Sequence, residues 1–214
     1  MSKFWIFDFD GTLVDSESAI RKCYMSITSE IAPSRINTAQ TILIGPTLDE
    51  SSREILGQEL LHLLPDFKQA FQYEYDSHTV FETLTYPAAD NVLRTLRSRG
   101  DRIGLATNKR LEPTSALIKY YKWNDYFEFI ACLDQFAYAK NKAEMLSTML
   151  KKHDNFTNAS MVGDTLPDGI AAKGNHLRFI KANYGYGKDL DWRGIPVYKT
   201  INQISEILTI ADET

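Results

Sequence analysis

Cysteine is nearly absent from this chain: Cys23 and Cys132 are the only two, far apart and without a CxxC pair. That spacing argues against a disulfide framework or a thiolate zinc site, and both are expected to be buried free thiols. The four histidines, His62, His78, His153 and His176, share no ligand spacing. None is assigned to chemistry, and each is read as a surface or packing residue. No apolar run approaches the ~20 residues needed to cross a bilayer, and Met1-Ser2-Lys3-Phe4-Trp5-Ile6 enters a strand-like run without an apolar leader. The expectation is a cytoplasmic protein with no membrane partner. Nor is positive charge in excess. The 24 Lys and Arg residues stand against 28 Asp and Glu, a net charge of −4, which argues against a nucleic-acid partner. Repeats, low-complexity tracts and a linker long enough to separate tandem domains are missing too.

What is present suffices for one sizeable core plus a small insertion: 214 residues, of which 43% are hydrophobic. Phe4 to Phe9 reads as a short aromatic strand. From Ser16 to Leu84 the spacing is helical. Ile20, Cys23, Tyr24, Ile27 and Ile31 recur at helical intervals, as do Phe67, Ala70, Phe71 and Tyr75, with Pro33, Pro46 and Pro65 between the runs. Three or four short helices are predicted there. After Tyr86-Pro87 strands and helices alternate. Strands are predicted at 102–106, 127–131, 159–162, 177–181 and 196–198, and helices at 90–98, 113–121, 142–152, 168–173 and 201–210. Repeated βα units predict an α/β fold with a doubly wound parallel sheet, its core formed by residues 1–15 and 86–214 and the helical insertion by 16–85.

The chemistry gathers where strands end. Residues two apart in a strand share a face, so Asp8 and Asp10 are expected together, where their repulsion invites a divalent cation. Gly11 permits a tight turn and Thr12 adds a hydroxyl. Ligands of such sheets bind beyond the carboxyl ends of the strands. There the strand 103–106 runs into Thr107-Asn108, and Ser160-Met161-Val162 runs into Gly163-Asp164, with Asp168 four residues on. Lys140 and Lys142 precede a helix between them. Carboxylates, a hydroxyl and an amine at one sheet edge suit magnesium and phosphate, because hard cations select oxygen and phosphate needs donors.

In this order, Asp8-x-Asp10-Gly11-Thr12, Thr107-Asn108, a lysine at 140 or 142, and Gly163-Asp164-x3-Asp168 resemble the four motifs of the haloacid dehalogenase (HAD) superfamily. The resemblance spans nearly the whole chain. The insertion is similar to the small α-helical cap of the subfamily containing phosphoglycolate phosphatase and β-phosphoglucomutase, and Tyr184-Gly185-Tyr186-Gly187 resembles a segment of its phosphoglycolate phosphatase-like branch. The resemblance implies a Rossmann-like core and a magnesium-dependent phosphatase acting on a small phosphomonoester. Phosphoglycolate-like esters, sugar phosphates and nucleoside monophosphates are the candidate substrates. It implies Asp8 as nucleophile, forming an aspartyl-phosphate, and Asp10 as acid and then base. Asp8, Asp10, Asp164 and Asp168 would serve the metal. Gly11, Thr12, Thr107, Asn108 and the lysine would hold the phosphoryl group, and the cap loop Gly45-Pro46-Thr47 would reach the substrate.

Alternatives stand beside several of these readings. The family's Lys-Pro-x-Pro pattern would select Lys140, but Asn141 and Ala143 replace its prolines. Lys142-Ala143-Glu144 before the apolar pair Met145-Leu146 fits another family version, so Lys142 is favoured. Arg21, Arg35 and Arg53 are read as solvated surface charges, with an acidic substrate as their alternative use. Phe71, Tyr73 and Tyr75 are read as core of the insertion. A phosphomutase of the same family is the first alternative function. A non-enzymatic phosphoacceptor module, also built on a doubly wound sheet with Asp, Thr and Lys, is the second.

Overall fold

The computed structural model describes residues 2–152 and 159–213. Two compact units emerge, Met1–Asp15 with Thr85–Thr214, and Ser16–Leu84. The first is an α/β unit around a six-stranded parallel sheet. Its strands are β1 (Phe4–Phe7), β4 (Arg102–Thr107), β5 (Phe129–Cys132), β6 (Ala159–Gly163), β7 (Arg178–Ala182) and β8 (Val197–Ile201). Their spatial order is β5-β4-β1-β6-β7-β8, every pairing parallel. The helical insertion lies in sequence between two further short strands, β2 (Val14–Asp15) and β3 (Leu84–Thr85), which pair with each other.

β1 is buried along its whole length, as a central parallel strand covered on both faces must be. It pairs with β4 on one side and β6 on the other, Phe7 lying opposite both Leu105 and Val162. The chain thus leaves β1 in two directions, the switch point at which doubly wound sheets open a crevice. Phe4 and Ile6 share one face and join a core with Phe129, Met145, Leu146, Met161 and Phe179. The helices α7 (Lys142–Lys152) and α8 (Leu166–Gly174) close that face. The remaining helices of the unit are α5 (Ala89–Ser98), α6 (Leu111–Tyr120) and α9 (Glu206–Glu213).

The helical unit consists of α1 (Glu17–Ile31), α2 (Ile36–Thr41), α3 (Leu48–Leu56) and α4 (Leu64–Glu74), with 3-10 segments between α1 and α2 and between α3 and α4, and with a π turn at Tyr75–Thr79 continuing α4. Its core is aromatic. The ring centroids of Tyr24 and Phe71 are 4.4 Å apart and those of Phe71 and Tyr75 are 5.5 Å apart. Tyr73, expected in this core, is 69% exposed, since it falls on the opposite face of α4 from Phe71.

Two element predictions need correction. The first strand stops at Phe7 rather than Phe9, because the Leu13 and Val14 N–H groups turn back onto the Phe9 carbonyl, at 2.8 and 3.0 Å. Ile201 belongs to β8, opposite Ala182, and not to the last helix. That helix starts only at Glu206, whose side chain accepts from the Asn202 and Gln203 N–H groups at 2.9 and 3.0 Å. No helix of the described residues is long and apolar enough to cross a membrane.

Candidate active site

Asp8 follows β1 directly, and its N–H donates to the Val162 carbonyl at 2.8 Å, so the central strand's pairing with β6 sets its position. Asp164 follows β6, and Thr107 ends β4. Three neighbouring strands therefore deliver the first, second and fourth groups of candidate residues to one edge. The third group arrives from α7, whose first residue, Lys142, is buried.

Lys142 Nζ lies 2.6 Å from Asp168 Oδ1 and 2.8 Å from Asp8 Oδ1. Asp168 accepts at its other oxygen from Thr165 N–H at 2.9 Å and Thr165 Oγ1 at 2.8 Å. This closes a capping box on α8 and fixes the carboxylate. Asp164 accepts from Thr12 Oγ1 at 3.0 Å and from Tyr186 N–H at 2.7 Å. Asp10 pairs with Lys109, at 3.0 and 3.3 Å to its two oxygens. Lys140 is exposed, contributing its backbone N–H to Glu144 Oε2 at 2.9 Å. Lys142, not Lys140, meets the carboxylates.

Gly11 and Thr12 sit differently from the phosphate contacts expected of them. The Gly11 N–H donates to the Val14 carbonyl at 2.8 Å and the Thr12 N–H to the Phe9 carbonyl at 3.3 Å, both inside the turn. With the Thr12 hydroxyl turned to Asp164, these donors build the loop rather than an anion cradle. Gly11 has φ +77°, and a Cβ there would overlap the Asp164 carboxylate, so glycine is required twice over.

The electrostatics are those of too many buried carboxylates. Burial, and then the Asp168 carboxylate, push Asp8 up to about 7 against the opposing pull of Lys142. Burial, then Asp168 and Asp8, hold Asp164 well above the usual carboxylate range. Burial alone would lower Lys142, but Asp168 and Asp8 outweigh it and hold the ammonium above its ordinary value. Lys142 meets Asp8 and Asp168, and Lys109 meets Asp10; with Asp164 counted and all four carboxylates ionised, the negative charges would exceed the two ammonium groups by two. One oxygen from each of Asp8, Asp164 and Asp168 can lie within 4.8 Å of the others. Oxygen donors carrying that charge excess fit one hard divalent cation.

Some residues at the site escaped sequence reasoning. Lys109 follows Thr107-Asn108 directly, but nothing in the local sequence marks its pairing with Asp10. Tyr184 was visible in its Gly-rich segment, but not the donation of its hydroxyl to the Thr12 carbonyl at 2.9 Å. Burial, then Asp164, raises that phenol, so it stays a donor. Gly45, Pro46 and Thr47 lie in the helical unit. There Thr47 caps α3, accepting from Glu50 N–H at 3.2 Å while its N–H donates to Glu50 Oε2 at 2.8 Å. Arg21, Arg35 and Arg53 all make contacts within that unit: Arg21 with Glu17, Arg35 with the Ile55 carbonyl and Arg53 with Asp49. His78 pairs with Glu74, while His153 lies outside the described residues. Cys23 and Cys132 are free and buried.

With this geometry in view, comparison with known proteins is specific. The family model for haloacid dehalogenase-like hydrolases matches residues 5–182. The chain is similar to a phosphoglycolate phosphatase of Psychrobacter arcticus, 24% identical over 95% of this chain and 93% of that one. It is also similar to pyrophosphatase PpaX of Listeria monocytogenes, 29% identical over 78% of this chain and 77% of the relative. Among solved structures, a haloacid dehalogenase-like family hydrolase from Streptococcus pneumoniae superposes with a TM-score of 0.82 at 21% identity, covering 98% of each chain. Protein Tyrosine Kinase A of Mycobacterium tuberculosis has the same TM-score, 0.82, at 23% identity, over 98% of this chain and 97% of that one. At such identities the structural likeness speaks for the fold alone.

Proposed function

The chain belongs to the haloacid dehalogenase-like hydrolases, and on that premise we propose that it is a magnesium-dependent phosphatase of small phosphomonoesters working through an aspartyl-phosphate. The observation that carries this reading is the buried Lys142, within 2.6–2.8 Å of both Asp8 and Asp168. A carboxylate meant to attack a phosphate dianion needs such a charge beside it. Asp8, Asp164 and Asp168 would hold magnesium, with the backbone carbonyl of Asp10. Bound there, the ion would offset the charge excess of the ionised carboxylates and so let the site admit a phosphate group beside Asp8.

Asp8 attacks phosphorus as the bond to the leaving oxygen breaks, and Asp10 delivers its proton to that oxygen. Asp10, now a carboxylate, takes a proton from water. The water oxygen bonds to phosphorus, the bond to Asp8 breaks, and inorganic phosphate leaves. Thr107 Oγ1, Asn108 and Lys142 orient the transferred group. Thr107 suits this because its oxygen accepts from Lys109 N–H at 3.1 Å, which leaves the hydroxyl proton free to donate to the phosphoryl oxygens. Choice among leaving groups is assigned to the helical cap, the turn Gly45-Pro46-Thr47 included.

Phosphoglycolate, sugar phosphates and nucleoside monophosphates remain the candidate substrates. The pyrophosphatase relative adds inorganic pyrophosphate, in which phosphate itself is the leaving group. The test is phosphate release from this panel and from p-nitrophenyl phosphate, with magnesium and with EDTA. Magnesium-dependent turnover of at least one ester supports the reading. No turnover together with a long-lived phospho-adduct on Asp8 would replace it with a phosphoacceptor.

A further inference from the structure

The two aspartates of the first loop have separate lysines. Lys142 serves Asp8, and Lys109 Nζ lies 3.0 and 3.3 Å from the two oxygens of Asp10. The Lys109 side chain is 5% exposed and that of Asp10 12%, so this pair is shielded from the water that makes surface ion pairs weak. Lys109 is itself tethered through its backbone N–H, which donates to Thr107 Oγ1 at 3.1 Å. An ammonium within reach of both Asp10 oxygens can hold the side chain through one of them while the other carries or accepts the transferred proton, and its tether refers that orientation to the end of β4.

We infer that Lys109 is the positioning residue for Asp10 and acts on the reaction only through it. This rests on the acid and base role proposed for Asp10. A general acid assists only while held within hydrogen-bond reach of the oxygen it protonates. The first strand has ended before Asp10, so no ladder hydrogen bond of the main sheet aims that side chain. A lysine serving only to neutralise charge, or one touching the phosphoryl group itself, would affect all esters alike.

The test compares kcat/KM for p-nitrophenyl phosphate and glycerol 2-phosphate, using the full chain with magnesium. This ratio covers the steps through departure of the leaving group. Nitrophenolate departs without a proton, whereas an alkoxide needs one. Lys109→Met should lower kcat/KM for glycerol 2-phosphate by about 10–100-fold and for p-nitrophenyl phosphate by less than about threefold. Lys109→Arg, able to pair with the same carboxylate, should recover most of the loss. Asp10→Asn should show the same split, and adding Lys109→Met to it should cost nothing further. Equal losses on both esters, or losses that multiply in the double variant, overturn the inference. If Asp10→Asn shows no dependence on the leaving group, the acid role of Asp10 fails and the inference with it. If Asp10→Asn shows it and Lys109→Met does not, the positioning role alone is overturned.

Discussion

Lys142 Nζ is closer to Asp168 Oδ1, at 2.6 Å, than to Asp8 Oδ1, at 2.8 Å. Asp168, on the first turn of α8, is fixed in turn by Thr165, the residue that caps that helix. The lysine's position is thus set from behind by a carboxylate that has no freedom of its own, and Asp8 meets an ammonium already in place. Preorganised charge of this kind needs no rearrangement as the reaction proceeds.

Removing the ammonium should strand the carboxylates. Lys142→Met keeps the stem but leaves Asp8 and Asp168 buried without their partner, a loss of about 3–5 kcal/mol, read by chemical denaturation in EDTA. Adding Asp168→Asn removes one stranded charge and should recover part of that stability. Strictly additive losses in the double variant would show that the two residues are not coupled.

Asp8→Asn should separate activity from stability. Turnover of p-nitrophenyl phosphate should fall by at least about 10³-fold, because an amide cannot serve as the nucleophile. The folded protein in EDTA at pH 8 should nevertheless melt higher than wild type. Asp8 is held at about 7, so at that pH it is ionised against the preference of its surroundings, and the neutral amide removes this penalty. A lower melting temperature would contradict the charge balance described for the site.

The same shift sets a pH dependence. The folded value of Asp8, about 7, lies above its ordinary 3.8. Between these values the folded protein binds a proton that the unfolded chain has released, so without metal this group makes stability fall as pH rises toward 7. Asp164, also raised, acts in the same direction. Magnesium competes with those protons and should bind more tightly as they leave. The gap in melting temperature between magnesium and EDTA should therefore widen from about pH 5.5 to about pH 8. A gap constant over that range would argue against a cation on these carboxylates.

Much of this arrangement was legible because strand ends are written locally. Asp8, Thr107 and Asp164 each follow an apolar run, and parallel topology brings such ends to one edge without any contact being known. Lys142 could be preferred over Lys140 from the neighbouring Glu144 and the apolar pair. The Lys109–Asp10 pair joins residues 99 positions apart, and no local pattern marks it. The inward-turned N–H groups of Gly11 and Thr12 depended on where β1 stops, which the aromatic run through Phe9 obscured.

Gly185 shows how closely the candidate cation site is built. A Cβ there would overlap both the Gly11 carbonyl oxygen and the Asp164 side chain. The loop cannot easily retreat, because Tyr186 N–H donates to Asp164 at 2.7 Å and Tyr184 Oη to the Thr12 carbonyl at 2.9 Å. Gly185→Ala must therefore displace Asp164, the first loop, or both. Overpacking of this kind costs about 1–3 kcal/mol, which leaves room for a folded protein. The displaced carboxylate should weaken the metal site by about 10–100-fold, the range seen when groups supporting metal ligands are altered. Titrating magnesium against p-nitrophenyl phosphate turnover measures it. The half-saturating concentration should rise while turnover at saturating magnesium falls much less. A magnesium dependence equal to that of wild type, with the variant folded, would argue against a cation held by Asp164 and the first loop.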